Sequence, residues 1–342
     1  MKIAVDAMGG DNAPKVIIEG VIQAVEEYGV EVALVGDEQL ISKMIPGGGK
    51  HRLLNVVHAP EIVGMREHPA VAVRRKRNSS IVKATQLVKA GEADAVVSAG
   101  STGASMASAL LSLGRIKGID RPAIAVVLPT EQGFTLLLDI GANVDCKPGN
   151  LYQFGMMGSI YAERIMGVKA PKVGLLNIGE EENKGNELAL AAHQLLRNAD
   201  INFVGNVEGG DIFRGVVHVL VCDGFIGNVV LKTSEGLAES LFNILKEEIV
   251  KSNLAKLGLL LASRALKGFQ RRVDYDEYGG APLLGVNGVS VICHGRSSAK
   301  AIKNAVRVAM ESVDNCLPQA IKETLSTVEK GKVECANAQR SS

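Results

Sequence analysis

The chain has 342 residues, of which 46% are hydrophobic and 22% charged, with 38 Lys and Arg against 37 Asp and Glu. A chain of this length buries a large core, and the composition excludes disorder and collagen-like structure. The net charge of +1, the 4% aromatic content and the lack of Trp argue against a nucleic-acid partner, because the sequence supplies neither a basic field nor stacking platforms.

The sequence has the features of a protein of a reducing compartment. Its 5 cysteines are odd in number and scattered, and none forms a C-x-x-C pair, which argues against a disulfide framework or a zinc site. The first carboxylate, Asp6, comes too early for a signal peptide, and nowhere do about 18 apolar residues run together. We therefore expect a cytoplasmic protein that is at most peripherally bound to the inner face of the cell membrane.

Short runs rich in Val, Ile and Leu alternate with stretches of helical periodicity, which is typical of parallel strands joined by helices. In chain order the pattern predicts strand 2–5, helix 13–28, strands 31–35 and 53–58, helix 79–90, strand 93–97, helix 102–113, strands 123–128 and 135–138, helix 150–167, strand 172–177, helix 186–198, strands 202–205 and 217–222, helix 227–251, strand 289–293 and helix 297–327. No long linker divides the chain. We expect one α/β catalytic domain over 1–328, in which a subdomain division is possible, and a frayed polar tail over 329–342.

An apolar strand followed by Asp and glycines occurs three times, at Asp6, Asp139 and Asp223. Ligands of parallel sheets bind at the carboxyl ends of the strands, so we predict that the three corners converge on one site. Asn143 and Asn228 lie close to two of them in sequence. Taken singly, each Asp is equally explained as a helix cap or a turn residue.

The segment 98–105 contains only small residues and joins a predicted strand to a predicted helix. Free amides at a helix start bind anions, and small residues let an anion approach the backbone, so Ser101, Thr102 and Gly103 form a candidate phosphate site. The segment matches neither the P-loop nor the dinucleotide-binding fingerprint. Close packing of the helix start is the alternative.

A second strand-to-helix corner carries Lys184 and Asn186 beside Gly185. The ammonium of Lys184 is placed to neutralise a phosphate, whereas we assign the glutamates at 180–182 to a solvated loop. His294 follows a predicted strand and is either a site residue or a structural one. The sequence shows no pattern typical of a nucleophilic triad or a metal site.

Basic residues without acidic ones alternate with leucines between 249 and 273. Together with the helix before it, this segment predicts a protruding helical hairpin over about 227–272 that docks on an anionic membrane or an acidic protein, or else a dimerisation or core face. The docking residues are Leu254, Leu257, Leu260, Leu261, Arg264, Lys267, Arg271 and Arg272, with a second basic patch at Arg74 and Arg75.

Taken together, these motifs resemble the bacterial phosphate acyltransferases, which make acyl phosphate from acyl carrier protein for phospholipid synthesis. The matching stretches run in order through nearly the whole chain, at 5–14, 98–104, 114–122, 138–145, 184–187, 223–233, 278–281 and 294–295. Cys146 and Arg296 depart from the family pattern, and Arg296 leaves the role of the last corner open.

The resemblance implies a three-layer α/β/α fold like that of isopropylmalate dehydrogenase, with a largely parallel sheet, and a homodimer loosely bound to the membrane. It implies acyl carrier protein as a partner, inorganic phosphate as the co-substrate, no cofactor or metal, and a membrane-bound glycerol-phosphate acyltransferase as the consumer of the product. The fold is also similar to that of phosphate acetyltransferases.

From these motifs we expect direct attack of phosphate on the thioester. The amides at 101–103 and Lys184 hold the phosphate, Asp223 or Asp139 accepts its proton, and Asn143, Asn228 or His294 donates to the oxyanion. Asp6, Gly9, Gly10, Asn186 and Lys232 complete the expected phosphate and substrate site.

Two other functions fit the pattern. One is a metal- and nicotinamide-dependent dehydrogenase of the same fold, which the lack of a clustered set of carboxylates disfavours. The other is a non-catalytic scaffold that docks acyl carrier protein at the membrane through the basic segment.

Overall fold

One mixed sheet of eleven strands carries the fold, in the order β3-β2-β1-β4-β11-β10-β5-β6-β9-β7-β8. The computed structural model describes residues 1–46, 51–252 and 275–326, together with the single positions 258, 262 and 268. The strands are β1 (Lys2–Asp6), β2 (Glu31–Gly36), β3 (Leu54–His58), β4 (Ala95–Ser98), β5 (Ala123–Thr130), β6 (Gly133–Leu138), β7 (Val173–Asn177), β8 (Phe203–Glu208), β9 (Val219–Val221), β10 (Ala281–Leu284) and β11 (Val289–Ile292).

Helices cover both faces of the sheet. They are α1 (Lys15–Tyr28), α2 (Glu38–Met44), α3 (Pro69–Arg75), α4 (Ser80–Lys89), α5 (Thr102–Ser112), α6 (Pro148–Arg164), α7 (Glu187–Arg197), α8 (Gly224–Lys251), α9 (Ala299–Asp314) and α10 over 317–326, with short 3₁₀ segments at Gly209–Arg214 and Tyr275–Glu277. The predicted α/β/α class with a largely parallel sheet is confirmed.

Alternate side chains of each buried strand enter the cores on opposite faces, as the two-residue repeat of a strand requires. In β1, Ile3 and Val5 pack with α1 and α9, whereas Ala4 faces the core formed with α4 and α5. In β6, Leu136 and Leu138 pack with α6 and α7, whereas Leu137 faces the core on the α8 side. Burial of strands on both faces explains their continuous apolar runs.

The sheet reverses direction at its centre. Strands β3, β2, β1, β4 and β11 are parallel, then β10 is antiparallel to β11 and to β5, and β5 is antiparallel to β6. Strands β6, β9, β7 and β8 are again parallel to one another. Three reversals in succession leave this second group running opposite to the first.

The sequence prediction missed α2, α3 and β10. The last of these is only four residues long, APLL, and contains a proline, which lowers the strand signal. The single helix predicted over 297–327 is two helices, because Cys316 has a positive φ of 49° that breaks the helix between α9 and α10. Helix α8 covers the first part of the hairpin predicted over 227–272, and most of the remainder of that range lies outside the described residues.

Candidate active site

The first turn of α5 forms an open helix N-terminus. Ser101 occupies the N-cap position, yet its side chain makes no capping hydrogen bond to the helix. The first hydrogen bond of the helix runs from the Ser105 amide to the Ser101 carbonyl, so the amides of Thr102, Gly103 and Ala104 have no acceptor within the helix and remain available as donors. The arrangement suits an oxyanion, because these amides and the positive end of the helix dipole face the same space.

A glycine turn after β1 packs directly on this helix start. A Cβ atom on Gly9 would lie 2.7 Å from the Gly100 nitrogen and 2.6 Å from Asp6 Oδ2, so only glycine fits there. Gly10 has a φ of +115° and lies against Ala99 and Gly295. Two chain segments from adjacent parallel strands therefore meet with almost no side-chain volume between them.

Asp6 lies beneath the junction of these two segments, 9–10 and 98–104, which together form what we call the cradle. Its Oδ2 accepts a hydrogen bond from Ser98 Oγ at 2.7 Å, and Ser98 Oγ in turn accepts one from the Gly100 amide at 3.1 Å. The Asp6 side chain is 2% exposed, and this burial raises its pKa above the ordinary value. Its placement beneath the cradle, with hydrogen bonds to both turns, makes it a structural support for the predicted phosphate site.

A small cavity lies under the α5 N-terminus, and Asp6, Gly9, Ser98, Gly100, Ser101 and Ser105 line it among others. Ser105 is 2% exposed, and within the described part of the chain its hydroxyl has no hydrogen-bond partner. A buried hydroxyl without a partner costs about 1–3 kcal/mol, so an oxyanion that reaches Ser105 from the α5 N-terminus would gain a donor and remove this cost.

His294 and Lys232 approach each other beside this cradle, although they come from opposite halves of the sheet. His294 follows β11, Lys232 lies in the third turn of α8, and their side-chain nitrogens Nε2 and Nζ are 3.4 Å apart. Lys232 also forms an ion pair with Glu235, Nζ to Oε2 at 2.7 Å. Neither of the predictions for His294 and Lys232 anticipated that the two residues meet.

The corners at Asp139 and Asp223 form a second cluster. Asp139 is fully buried, which raises its pKa, and its carboxylate accepts hydrogen bonds from the amides of Ile124, Gly141, Ala142 and Asn143 and from Asn143 Nδ2. Asp223 caps α8 by accepting from the amides of Phe225 and Ile226, each at 2.9 Å. Asn228 Nδ2 donates to the Ile140 carbonyl at 3.1 Å. The contacts of these carboxylates hold the backbone of the two corners.

Lys184 lies exposed in the loop after β7. Its carbonyl accepts a hydrogen bond from Asn177 Nδ2 at 3.0 Å, which shapes the turn through Gly185, where φ is +102°. Asn186 caps α7 through a hydrogen bond from the Ala189 amide to Oδ1 at 2.9 Å. The loop is therefore an ordered strand-to-helix corner that presents one lysine.

The prediction that the three Asp-Gly corners converge on one site is wrong, because in the chain they lie at opposite edges of the sheet. The Asp6 corner shares its edge of the sheet with α5 and His294, whereas β6, β9 and β7 run in the opposite sense and carry Asp139, Asp223 and Lys184 at the other edge. Between β4 and β7 lie six inter-strand spacings, roughly 29 Å at about 4.8 Å each. The expectation failed because it assumed that the strands before the three corners run in the same direction, whereas the three reversals between β11 and β6 turn β6 and β9 against β1.

The sequence singled out the segment 98–105, but within it only Ser101, Thr102 and Gly103 were assigned to the site; Ser98 and Ser105 were not assigned roles, and Glu235 was not anticipated. Ser105 stands one turn into α5, where a serine is a poor helix former, and that mismatch was the available signal. Glu235 follows Lys232 at i+3, a common spacing that carries no functional information by itself.

Three of the four cysteines in the described part of the chain are poorly suited to covalent catalysis. Burial raises the pKa of the Cys146 thiol to about 11 and that of the Cys293 thiol to about 12, and it raises the pKa of Cys222 as well. The thiolate is the nucleophilic form, so these three thiols are unreactive at neutral pH.

Of the predicted docking residues, Arg74 and Arg75 are exposed in the last turn of α3. Helix α3 packs against α5, and its first residue, Pro69, lies 2.6 Å from where a Cβ atom of Gly103 would be. The other predicted docking residues, Leu254, Leu257, Leu260, Leu261, Arg264, Lys267, Arg271 and Arg272, lie outside the described residues. None of the described helices combines the length and the apolar character that a membrane crossing requires.

Comparisons with known proteins agree with this architecture. Residues 1–319 match the family described as "Fatty acid synthesis protein". The chain is 64% identical over 329 residues to a phosphate acyltransferase of Pelotomaculum thermopropionicum, covering 96% of each chain, and 57% identical to one of Heliobacterium modesticaldum, covering 98% of this chain and 99% of that one.

Among solved structures, a phosphotransacetylase from Streptococcus pyogenes superposes with a TM-score of 0.61 at 17% identity, covering 92% of this chain and 94% of that one. A putative 4-hydroxythreonine-4-phosphate dehydrogenase from Salmonella typhimurium superposes with a TM-score of 0.51 at 12% identity, covering 91% and 98%. Both likenesses concern the fold.

Proposed function

Because the chain belongs to the fatty acid synthesis protein family, we propose that it transfers a fatty acyl group from acyl carrier protein to inorganic phosphate, giving acyl phosphate for phospholipid synthesis. The family match and the identity to phosphate acyltransferases confirm the resemblance that the sequence suggested, and the chain is an enzyme. The α5 N-terminus, with its outward amides and the unpartnered Ser105 hydroxyl, is the observation that supports phosphate as the acceptor.

Phosphate at this position needs no side-chain nucleophile. One oxygen of hydrogenphosphate attacks the thioester carbonyl carbon, and the carbonyl π electrons move onto oxygen. The tetrahedral species then collapses and breaks the C–S bond. Acyl phosphate and a thiolate result, and the proton of hydrogenphosphate reaches the thiolate through solvent. Positioning the two reactants in this way contributes on the order of 7 kcal/mol or more.

The exposed arginines of α3 support a protein-borne substrate. Arg74 and Arg75 end a helix whose first residue packs on the first turn of α5, so an acidic carrier bound at these arginines holds its thioester arm near the phosphate. The product leaves for a membrane-bound acyltransferase that uses acyl phosphate, and the reaction needs phosphate as a co-substrate but no cofactor.

The second half of α8 supports a homodimer. Leu237, Leu241, Ile244 and Leu245 are spaced at helical intervals and are each at least half exposed. We assign this stripe to the contact with a second copy and the basic leucine-rich segment beyond it to an anionic membrane surface. Leu241→Glu then yields a monomer by light scattering. Replacing Leu257, Leu260 and Leu261 with Ser abolishes flotation with anionic vesicles but leaves catalysis in solution unchanged.

The reaction is tested with palmitoyl acyl carrier protein, phosphate and hydroxylamine, which converts acyl phosphate to a hydroxamate. We expect the hydroxamate to form only when phosphate is present and without any nucleotide. Oxidation that depends on a nicotinamide would identify a dehydrogenase instead. Tight binding of the acyl carrier protein without turnover would identify a scaffold. The same assay with palmitoyl coenzyme A measures how much the carrier protein itself contributes.

A further inference from the structure

The contact between Lys232 and His294 joins the two halves of the sheet at the edge of the phosphate cradle. The side-chain nitrogens are 3.4 Å apart, and both side chains are exposed to the solvent around the cradle. Whether such a contact is a hydrogen bond depends on which nitrogens carry hydrogen, because each nitrogen of a neutral imidazole either donates or accepts.

The backbone fixes the tautomer of His294. The Arg296 amide donates a hydrogen bond to His294 Nδ1 at 3.2 Å, so Nδ1 carries a lone pair. In a neutral imidazole the single proton then lies on Nε2. Nε2 is the nitrogen that faces Lys232, and it faces it as a donor.

Lys232 is also a donor only. An ammonium has three N–H groups and no acceptor, and one of these groups is held by Glu235 at 2.7 Å, which fixes the side chain in this direction. Two donors 3.4 Å apart cannot satisfy one another. A single oxygen atom placed between the two nitrogens accepts from both, and an oxygen with negative charge forms the stronger hydrogen bonds with such donors.

Resting on the function proposed above, we infer that Lys232 and His294 form a two-donor clamp for the thioester carbonyl oxygen as it becomes the oxyanion. Gly295 connects the clamp to the cradle, since its carbonyl accepts from the Asp11 amide at 2.8 Å and lies 3.2 Å from where a Cβ atom of Gly10 would be. The carbonyl oxygen is therefore held beside the phosphate that attacks its carbon.

During the step, phosphate oxygen forms the new C–O bond while the C=O electron pair moves onto the clamped oxygen. The clamp holds the resulting charge without giving up a proton. When the C–S bond breaks, the electron pair returns to re-form the carbonyl, and the clamp is released unchanged. Donors placed in this way act on the transition state more strongly than on the ground state.

The test compares kcat and the phosphate KM in Lys232→Met, His294→Ala, His294→Gln and the double variant Lys232→Met/His294→Ala. Each single loss of a donor is expected to lower kcat by about 100-fold with the phosphate KM unchanged, as removal of an oxyanion donor does elsewhere. His294→Gln, which keeps an N–H donor, is expected to recover part of the activity lost in His294→Ala. The double variant is expected to lose less than the product of the two single losses, because the donors act on one atom.

Lys251→Met is the matched control, since Lys251 lies on the same helix and pairs with Glu248 at the same three-residue spacing, Nζ to Oε1 at 2.5 Å. It is expected to keep wild-type kcat, and all variants are checked by their thermal unfolding midpoints. A raised phosphate KM at unchanged kcat would overturn the inference, because the pair would then bind phosphate itself. Wild-type activity in both single variants would overturn it while leaving the proposed function intact. If the wild-type enzyme formed no acyl phosphate, both the proposed function and this inference would be wrong.

Discussion

Helix α8 packs so closely on the Asp139 corner that enlarging Gly227 is expected to lower the free energy of unfolding. A Cβ atom on Gly227 would lie 1.8 Å from the Asp139 carbonyl oxygen, whereas ordinary contact begins at 3.4 Å. Gly227→Ala therefore requires α8 to move by about 1.6 Å or its first turn to unwind. Overpacking costs about 1–3 kcal/mol, and obstruction by backbone rather than by a flexible side chain points to the upper end.

Gly236→Ala on the same helix is the matched control, since a Cβ atom there meets nothing within 4 Å. In this exposed position the alanine is expected to stabilise the protein by about 1 kcal/mol through helix propensity. Urea unfolding measures both variants. We expect the midpoint to fall for Gly227→Ala and to rise for Gly236→Ala at similar slopes, and kcat to fall only in Gly227→Ala, because the shift carries Lys232 away from His294. Equal stability of Gly227→Ala and wild type would refute the packing argument.

Three further predictions concern single side chains. Asn186→Ala removes the α7 cap to the Ala189 amide and is expected to cost about 1 kcal/mol of unfolding free energy, measured by urea denaturation; no change would remove the cap from the account. The hydrogen bond from Lys76 lowers the pKa of Glu67, so its stabilisation is present above the ordinary pKa and is lost as the pH falls through the folded-state value. Glu67→Gln should thus be less stable than wild type at pH 7 and equal to it at low pH, and a difference that persists in acid would contradict this assignment. Ser105→Ala is expected to raise the phosphate KM several-fold and, without phosphate, to raise the unfolding midpoint, because it removes a buried hydroxyl that has no partner within the described residues; an unaltered KM would take Ser105 out of the site.

Much of the fold was available from the sequence, because its strands are buried on both faces and carry continuous apolar runs. The strands around Ile3, Leu34 and Val97 and the helices between them follow directly from this pattern. The start of α5 was predictable because a run of small residues stands between the apolar run of β4 and a stretch of helical periodicity.

The arrangement of the site was less accessible. The direction of each strand depends on long-range pairing. Here the reversal of the sheet begins with β10, which is antiparallel to both neighbours, and Pro282 weakens the local sequence signal for this strand. Asp139 and Asp223 were expected to act on the proton of phosphate, yet their hydrogen bonds show them organising backbone at the far edge. The approach of Lys232 to His294 depends on where α8 crosses the sheet, which no local pattern encodes.

The most direct test is a crystal structure of the enzyme grown with phosphate at a concentration that saturates turnover. We expect a phosphate at the N-terminus of α5, within hydrogen-bonding distance of the amides at 102–104 and of the Ser105 hydroxyl. A phosphate bound instead at the Lys184 loop, with the α5 N-terminus occupied by water alone, would contradict it.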